Sequence, residues 1–175
     1  MNRSYLLFIL IIFLISCSHK DNNTGAGSTI SPRIKRQVMA LATSHAMNKF
    51  KNAKKAVMKD GIVIIGDDQI RCIIDPAGIL TGLIDDDEKE DVIISIPSYK
   101  GQFLIRKEHL ILIRTGGKFK VGSISESDMK IMEIKDKLIK AEVPKFAPDS
   151  PNYNCELCQE VVKFMYKDGE LVRLE

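Results

Sequence analysis

Tryptophan is absent from this chain of 175 residues, and aromatic residues make up only 6% of it. That scarcity argues against a carbohydrate-binding platform built on stacked rings. No Gly-x-Ser-x-Gly elbow, phosphate-binding glycine loop or zinc-protease helix motif occurs, so the common signatures of hydrolases and nucleotide enzymes are missing. The three histidines, His19, His45 and His109, stand far apart in sequence, at no metal-ligand spacing. No run approaches the roughly twenty apolar residues needed to span a bilayer. The longest, Leu6 to Ile15, has a short basic start at Asn2-Arg3 and ends beside the small residue Ser16. That combination makes a secretory signal rather than a membrane span.

The string Leu14-Ile15-Ser16-Cys17 resembles the lipobox of bacterial lipoproteins. The resemblance implies that residues 1–16 are removed and that Cys17 becomes the lipidated first residue of the mature chain. Each buried methylene adds about 0.8 kcal/mol, so two or three acyl chains anchor a protein almost permanently. Ser18, in place of the Asp associated with inner-membrane retention, implies passage to the outer membrane, periplasmic or surface-facing. His19-Lys20-Asp21 is similar to the export tags of surface lipoproteins in the Bacteroidota. Residues 17–30, rich in Ser, Asn, Gly and Thr, read as a flexible tether spanning about 20 Å. Residues 31–175 then form one domain, long enough to bury a core.

Charge is unevenly spread. Between Ser31 and Lys59 lie Arg33, Lys35, Arg36, Lys49, Lys51, Lys54, Lys55 and Lys59 with no acid, while the remainder is acidic, for a formal net charge of +3. A solvated helix face accounts for this, and contact with anionic lipid or an acidic partner is the sharper alternative. Nucleic acid is not expected as a partner of an exported chain.

Ser31-Pro32 is a good helix start, and Ile34, Val38, Leu41, Ala42, Ala46, Phe50, Ala53 and Val57 follow at helical spacing. One long amphipathic helix is expected from there to Gly61, with Met39, Met47 and Met58 as core filler. Strands follow: Ile62–Ile65 and Ile70–Ile74 around Gly66-Asp67-Asp68, Val92–Ile96, His109–Arg114, Phe119–Ser123, Ile131–Ile134, Leu138–Val143, Val161–Tyr166 and Leu171–Leu174. Asp168-Gly169 is the strongest turn signal. With no second long helix between strands, consecutive antiparallel pairing is favoured. The expected fold class is α+β, one N-terminal helix on a curved antiparallel sheet, with residues 145–154 an irregular excursion.

Cys155-Glu156-Leu157-Cys158 is the sharpest local pattern, and three chemistries fit it: a structural disulfide, a redox pair, or half of a zinc site. The disulfide is preferred, because the segment after Cys158 reads as strand rather than as the helix a redox cysteine wants. Cys72, between Ile70 and Ile74, reads as a buried thiol. Residues 83–91 resemble the acidic loop of FG-GAP-type repeats, whose pattern is Asp-x-Asp-x-Asp-Gly-x-x-Asp. Asp85, Asp87 and Asp91 match its acidic positions, which implies calcium. Leu83 replaces the first Asp and Glu88 the Gly, and a solvated acidic turn is the preferred reading.

The functional expectation is an envelope lipoprotein whose domain binds something, in all preference a protein, with no catalytic residues and no cofactor. One alternative is an immunity or inhibitor lipoprotein that caps a toxin. The other is a thiol-redox enzyme acting through Cys155 and Cys158.

Overall fold

The computed structural model describes residues 30–174 except 51, 148, 151–154, 156 and 157. Helix α1 spans Pro32–Lys49, with the Ser31 hydroxyl accepting from the Ile34 N–H. It is shorter than its apolar spacing suggests. Phe50 leaves the helix at φ −119°, ψ 118°, and Lys54–Val57 is strand β1, paired antiparallel with β2, Val63–Gly66. Ala53 and Val57 match the helical period by coincidence, since Val57 is 63% exposed. Gly61 does take a left-handed conformation (φ 81°), but in the β1–β2 turn rather than as a helix cap. Met39 packs partly against the core, whereas Met47 and Met58 are exposed, so only the first of the three methionines fills it.

The strands that follow are β3 (Ile70–Ile74), β4 (Ile79–Gly82), β5 (Asp91–Lys100), β6 (Phe103–Thr115), β7 (Lys118–Glu126), β8 (Lys130–Lys135), β9 (Leu138–Pro144), β10 (Gln159–Lys167) and β11 (Glu170–Leu174). All described pairings are antiparallel. They form two sheets where one was expected. The larger has the order β1-β2-β3-β5-β6-β7, with β4 pairing β5 beyond the end of β3, and the smaller has the order β11-β10-β9-β8.

The two sheets and the helix stack as three layers, helix on large sheet on small sheet. The period of two in β5 and β6 explains how. Val92, Ile94, Ile96, Leu110 and Leu112 point to the helix side, where Val38, Ala42 and Ala46 of α1 cover them. Ile93 and Ile111 point the other way, onto Ile131, Ile134, Ile139 and Ala141 of the small sheet. Both faces being buried, these strands read as nearly continuous apolar runs.

The two sheets approach tightly at Gly82 on β4. A Cβ there would stand 2.5 Å from Ile134 Cγ2 and 2.8 Å from the Ile134 carbonyl oxygen. Backbone cannot retreat as a flexible side chain can. Gly82→Ala is expected to destabilise the domain by about 2–3 kcal/mol through overpacking, read as a lowered urea midpoint with an unchanged m-value.

Candidate functional site

The expected lipidation residue, Cys17, lies outside the described residues, as do residues 1–16 and most of the tether. Among the described residues no helix is long and apolar enough to cross a membrane. The other three sequence candidates fall in separate places.

Cys155 and Cys158 sit between β9 and β10 with their sulfurs at bonding distance, 2.10 Å, and their Cα atoms 5.1 Å apart. The Cys158 N–H donates to the Cys155 carbonyl, and the Lys145 N–H donates to the Cys158 carbonyl. Cys158 runs directly into β10. Among the described residues no helix amino terminus faces the pair to stabilise a thiolate, and the geometry suits a staple. Cys72 is fully buried, 3.1 Å from the Ser98 hydroxyl, and burial pushes its thiol up.

The acidic loop works as a brace. Asp91 is fully buried at the start of β5. Its Oδ2 accepts from the N–H groups of Ile84 (3.1 Å) and Asp85 (3.3 Å), and its Oδ1 accepts from Arg114 N–H at 2.8 Å. Burial pushes the carboxyl up, and these three N–H bonds only partly oppose it. Asp85 accepts from Asp87 N–H at 3.0 Å, while Asp87 accepts from the Lys89 N–H and holds its ammonium at 2.7 Å. The carboxylates thus bind backbone and lysine, and they do not converge on a common point: no cluster of three His, Cys, Asp or Glu side chains able to hold a metal occurs among the described residues.

Glu88, at the glycine position of the FG-GAP pattern, adopts φ 58°. A residue with a Cβ pays about 1 kcal/mol or more there, of which glycine's greater freedom when unfolded would return part. Glu88→Gly is expected to raise stability by about 0.5 kcal/mol, measured as a higher urea midpoint.

Two polar constellations flank the central strands; the sequence marks His45 and His109 as structural residues, but not the partners that satisfy them. On the helix side, Glu108 of β6 is 5% exposed and meets Lys49 at 2.6 Å and His45 at 3.2 Å. Burial pushes its carboxyl up, but the bonds from Lys49 and His45 outweigh that and leave it below the usual glutamate range. This trio pins the carboxyl end of α1 to the sheet. On the other side, His109 lies directly across from Ser95. Its Nε2–H donates to the Ser127 carbonyl at 3.3 Å, which leaves Nδ1 to accept from the Ser95 hydroxyl at 2.8 Å. Burial is the main reason its pKa falls to about 4. A fully buried, weakly basic imidazole is a poor general base, so the pair is a structural one.

Ser95 opens onto a shallow groove of about 400 Å³ walled by Leu80, Pro97, Tyr99, Leu104, Lys107 and Ile131. Burial lowers the pKa of the Lys107 amine, and its ammonium donates to the Met129 carbonyl at 3.4 Å. The β5–β6 hairpin forms one wall and continues past it to a two-residue turn at Gly101-Gln102. Its return strand exposes Phe103 (78%), Leu104 (45%) and Ile105 (47%) in succession. Of the three, Leu104 lines the groove, and Phe103, the adjacent residue along the strand, faces the other side of the sheet.

Comparison with known protein families, with characterised proteins and with solved structures finds no match.

Proposed function

We propose that this chain is a bacterial lipoprotein of the outer membrane, cut after Ser16 and acylated on Cys17. Its domain binds a protein rather than turning over a substrate. The observation that carries the binding reading is the exposed run Phe103-Leu104-Ile105 on a hairpin rooted beside an apolar groove. Leu104 extends the apolar wall of the groove, and apolar grooves rimmed by polar residues mark interaction sites. The lipobox-like string and the Cys155–Cys158 staple both suit an oxidising envelope. An inhibitor that caps a toxin is one case within this reading. The thiol-redox alternative is not favoured, because among the described residues no helix dipole faces the pair.

The test is in-cell photo-crosslinking from a benzoylphenylalanine placed at Phe103, on the membrane-bound protein. A discrete protein adduct, lost when Ile105→Lys is added, is the expected result. An adduct indifferent to Ile105→Lys, or crosslinks to lipid alone, would overturn the protein-binding reading.

A further inference from the structure

We infer that the partner contributes an extended, carboxylate-bearing segment that adds as a strand to the free edge of β6 at Phe103–Arg106. This rests on the protein-binding reading and specifies its mode.

Strand β6 is longer than the neighbour that covers it. Strand β7 pairs with it from Thr115 back to Glu108, where the partner residue is Glu126. Ser127 N–H makes one more bond, to the Lys107 carbonyl at 3.2 Å, and the chain then departs toward β8. Beyond that point, Phe103, Leu104 and Arg106 pair on one side only, with Lys100, Tyr99 and Ser98 of β5, and Ile105 is the extra residue of a β-bulge. No second strand lies along them among the described residues. Half of their backbone groups therefore face outward, in line with the track that β7 has just left.

The side chains on this edge are not protective. Edge strands are ordinarily blunted with charge, above all lysine. Three other edges follow that rule, β1 with Lys54 and Lys55, β7 with Lys118 and Lys120, and β8 with Lys130 and Lys135, whereas β11 carries Glu170 and Arg173 and the short β4 carries no charge. The 103–106 edge presents Phe, Leu and Ile before its first charge, Arg106. It is also held firm from behind. Strand β3 pairs with β5 at Ser98–Lys100, and Arg71 donates to the Gly101 carbonyl at 3.1 Å, tying down the turn. A prearranged edge lowers the ordering cost that strand addition must meet.

Charge selects the occupant. Arg71, Lys100, Arg106, Lys107 and Lys130 surround the edge and groove, against Glu126, which pairs with Arg106 at 2.7 Å, Glu142, which pairs with Lys130 at 3.2 Å, and Asp128, an excess of two cations. A strand with alternating apolar and acidic residues would satisfy both the apolar run and the excess of cations. A second copy of this chain would bring the same cations to the same edge, and fits less well.

The probe is a ten-residue peptide of alternating Val and Glu, titrated into the full chain purified from membranes in detergent. Two controls accompany it: its backbone-N-methylated form, which cannot pair, and its Val-Lys form. Expected is saturable binding of the Val-Glu peptide, slowed hydrogen exchange at residues 103–107, and affinity at least about tenfold weaker for both controls. Ile105→Lys, exposed and remote from both cores, should abolish binding while the melting curve stays unchanged. Equal binding of the N-methylated peptide, protection at a different edge, or no binding would overturn the inference. So would edge protection that arises from dimerisation without peptide, or from vesicles of phosphatidylglycerol. If the peptide fails while the Phe103 photo-crosslink to a protein persists, protein binding stands and strand addition falls.

Discussion

Replacing Asp91 by alanine is expected to remove about 3–5 kcal/mol from the stability of the domain, the largest loss for any single polar side chain in it. The carboxylate is fully buried and is the acceptor for three backbone N–H groups, those of Ile84, Asp85 and Arg114. Truncation leaves all three without a partner, at about 1–3 kcal/mol for each that water cannot reach. Asp91→Asn should cost about half as much, because its one amide oxygen can face either the Ile84 side or the Arg114 side, and its NH2 then opposes the other. Asp87→Ala, on the same loop but solvent-facing, should stay within about 1 kcal/mol of the parent. Urea melts of the three variants decide it. Near-equal losses for Asp87→Ala and Asp91→Ala would mean that Asp91 is not the brace described.

Acidification should weaken the domain between about pH 6.5 and pH 4, chiefly through His109. Its pKa is about 4 in the folded protein and near the ordinary histidine value of 6.5 once unfolded. As pH falls through that window the unfolded chain takes up a proton that the buried ring refuses, so unfolding is favoured. The full difference corresponds to about 3 kcal/mol. Glu108 acts in the same direction at lower pH, since its depressed pKa gives stability above the unfolded value that is lost as pH falls through the folded one. Asp91, with its pKa raised, works the opposite way and softens the loss. In His109→Gln, whose amide can still donate to the Ser127 carbonyl and accept from Ser95, the slope between pH 6.5 and 4 should flatten. A slope identical to the parent's would place the titrating group elsewhere.

Hairpins were the legible part of this fold because their turns are local chemistry. Asp168 and Gly169 take φ 53° and 86°, and Gly116 and Gly117 take 57° and 79°, as two-residue loops between antiparallel strands require. The segment Lys54–Val57 reads as helix in sequence because four residues can satisfy a helical and a strand spacing at once, and the pairing with β2 separates them. Strand β4 escaped notice because Ile79–Gly82 is too short to show alternation between Gly78 and the acidic loop. Nor can local pattern divide the strands between two sheets, since that depends on which faces meet.

The site followed the same division. The Cys155–Cys158 staple was readable from spacing. Asp91 is legible in sequence as an acid, but its task depends on Arg114 lying across from β5, a relation set by the β5–β6 pairing. The free edge at Phe103–Arg106 becomes visible only once β7 is seen to stop at Glu126.

The account turns most directly on the anchor, and the decisive measurement is the intact mass of the protein extracted from its native membranes. It predicts a chain that begins at Cys17, lacks residues 1–16, and is heavier than the bare polypeptide by its acyl groups. A mass that retains residues 1–16, or a Cys17 carrying an unmodified thiol, would contradict it.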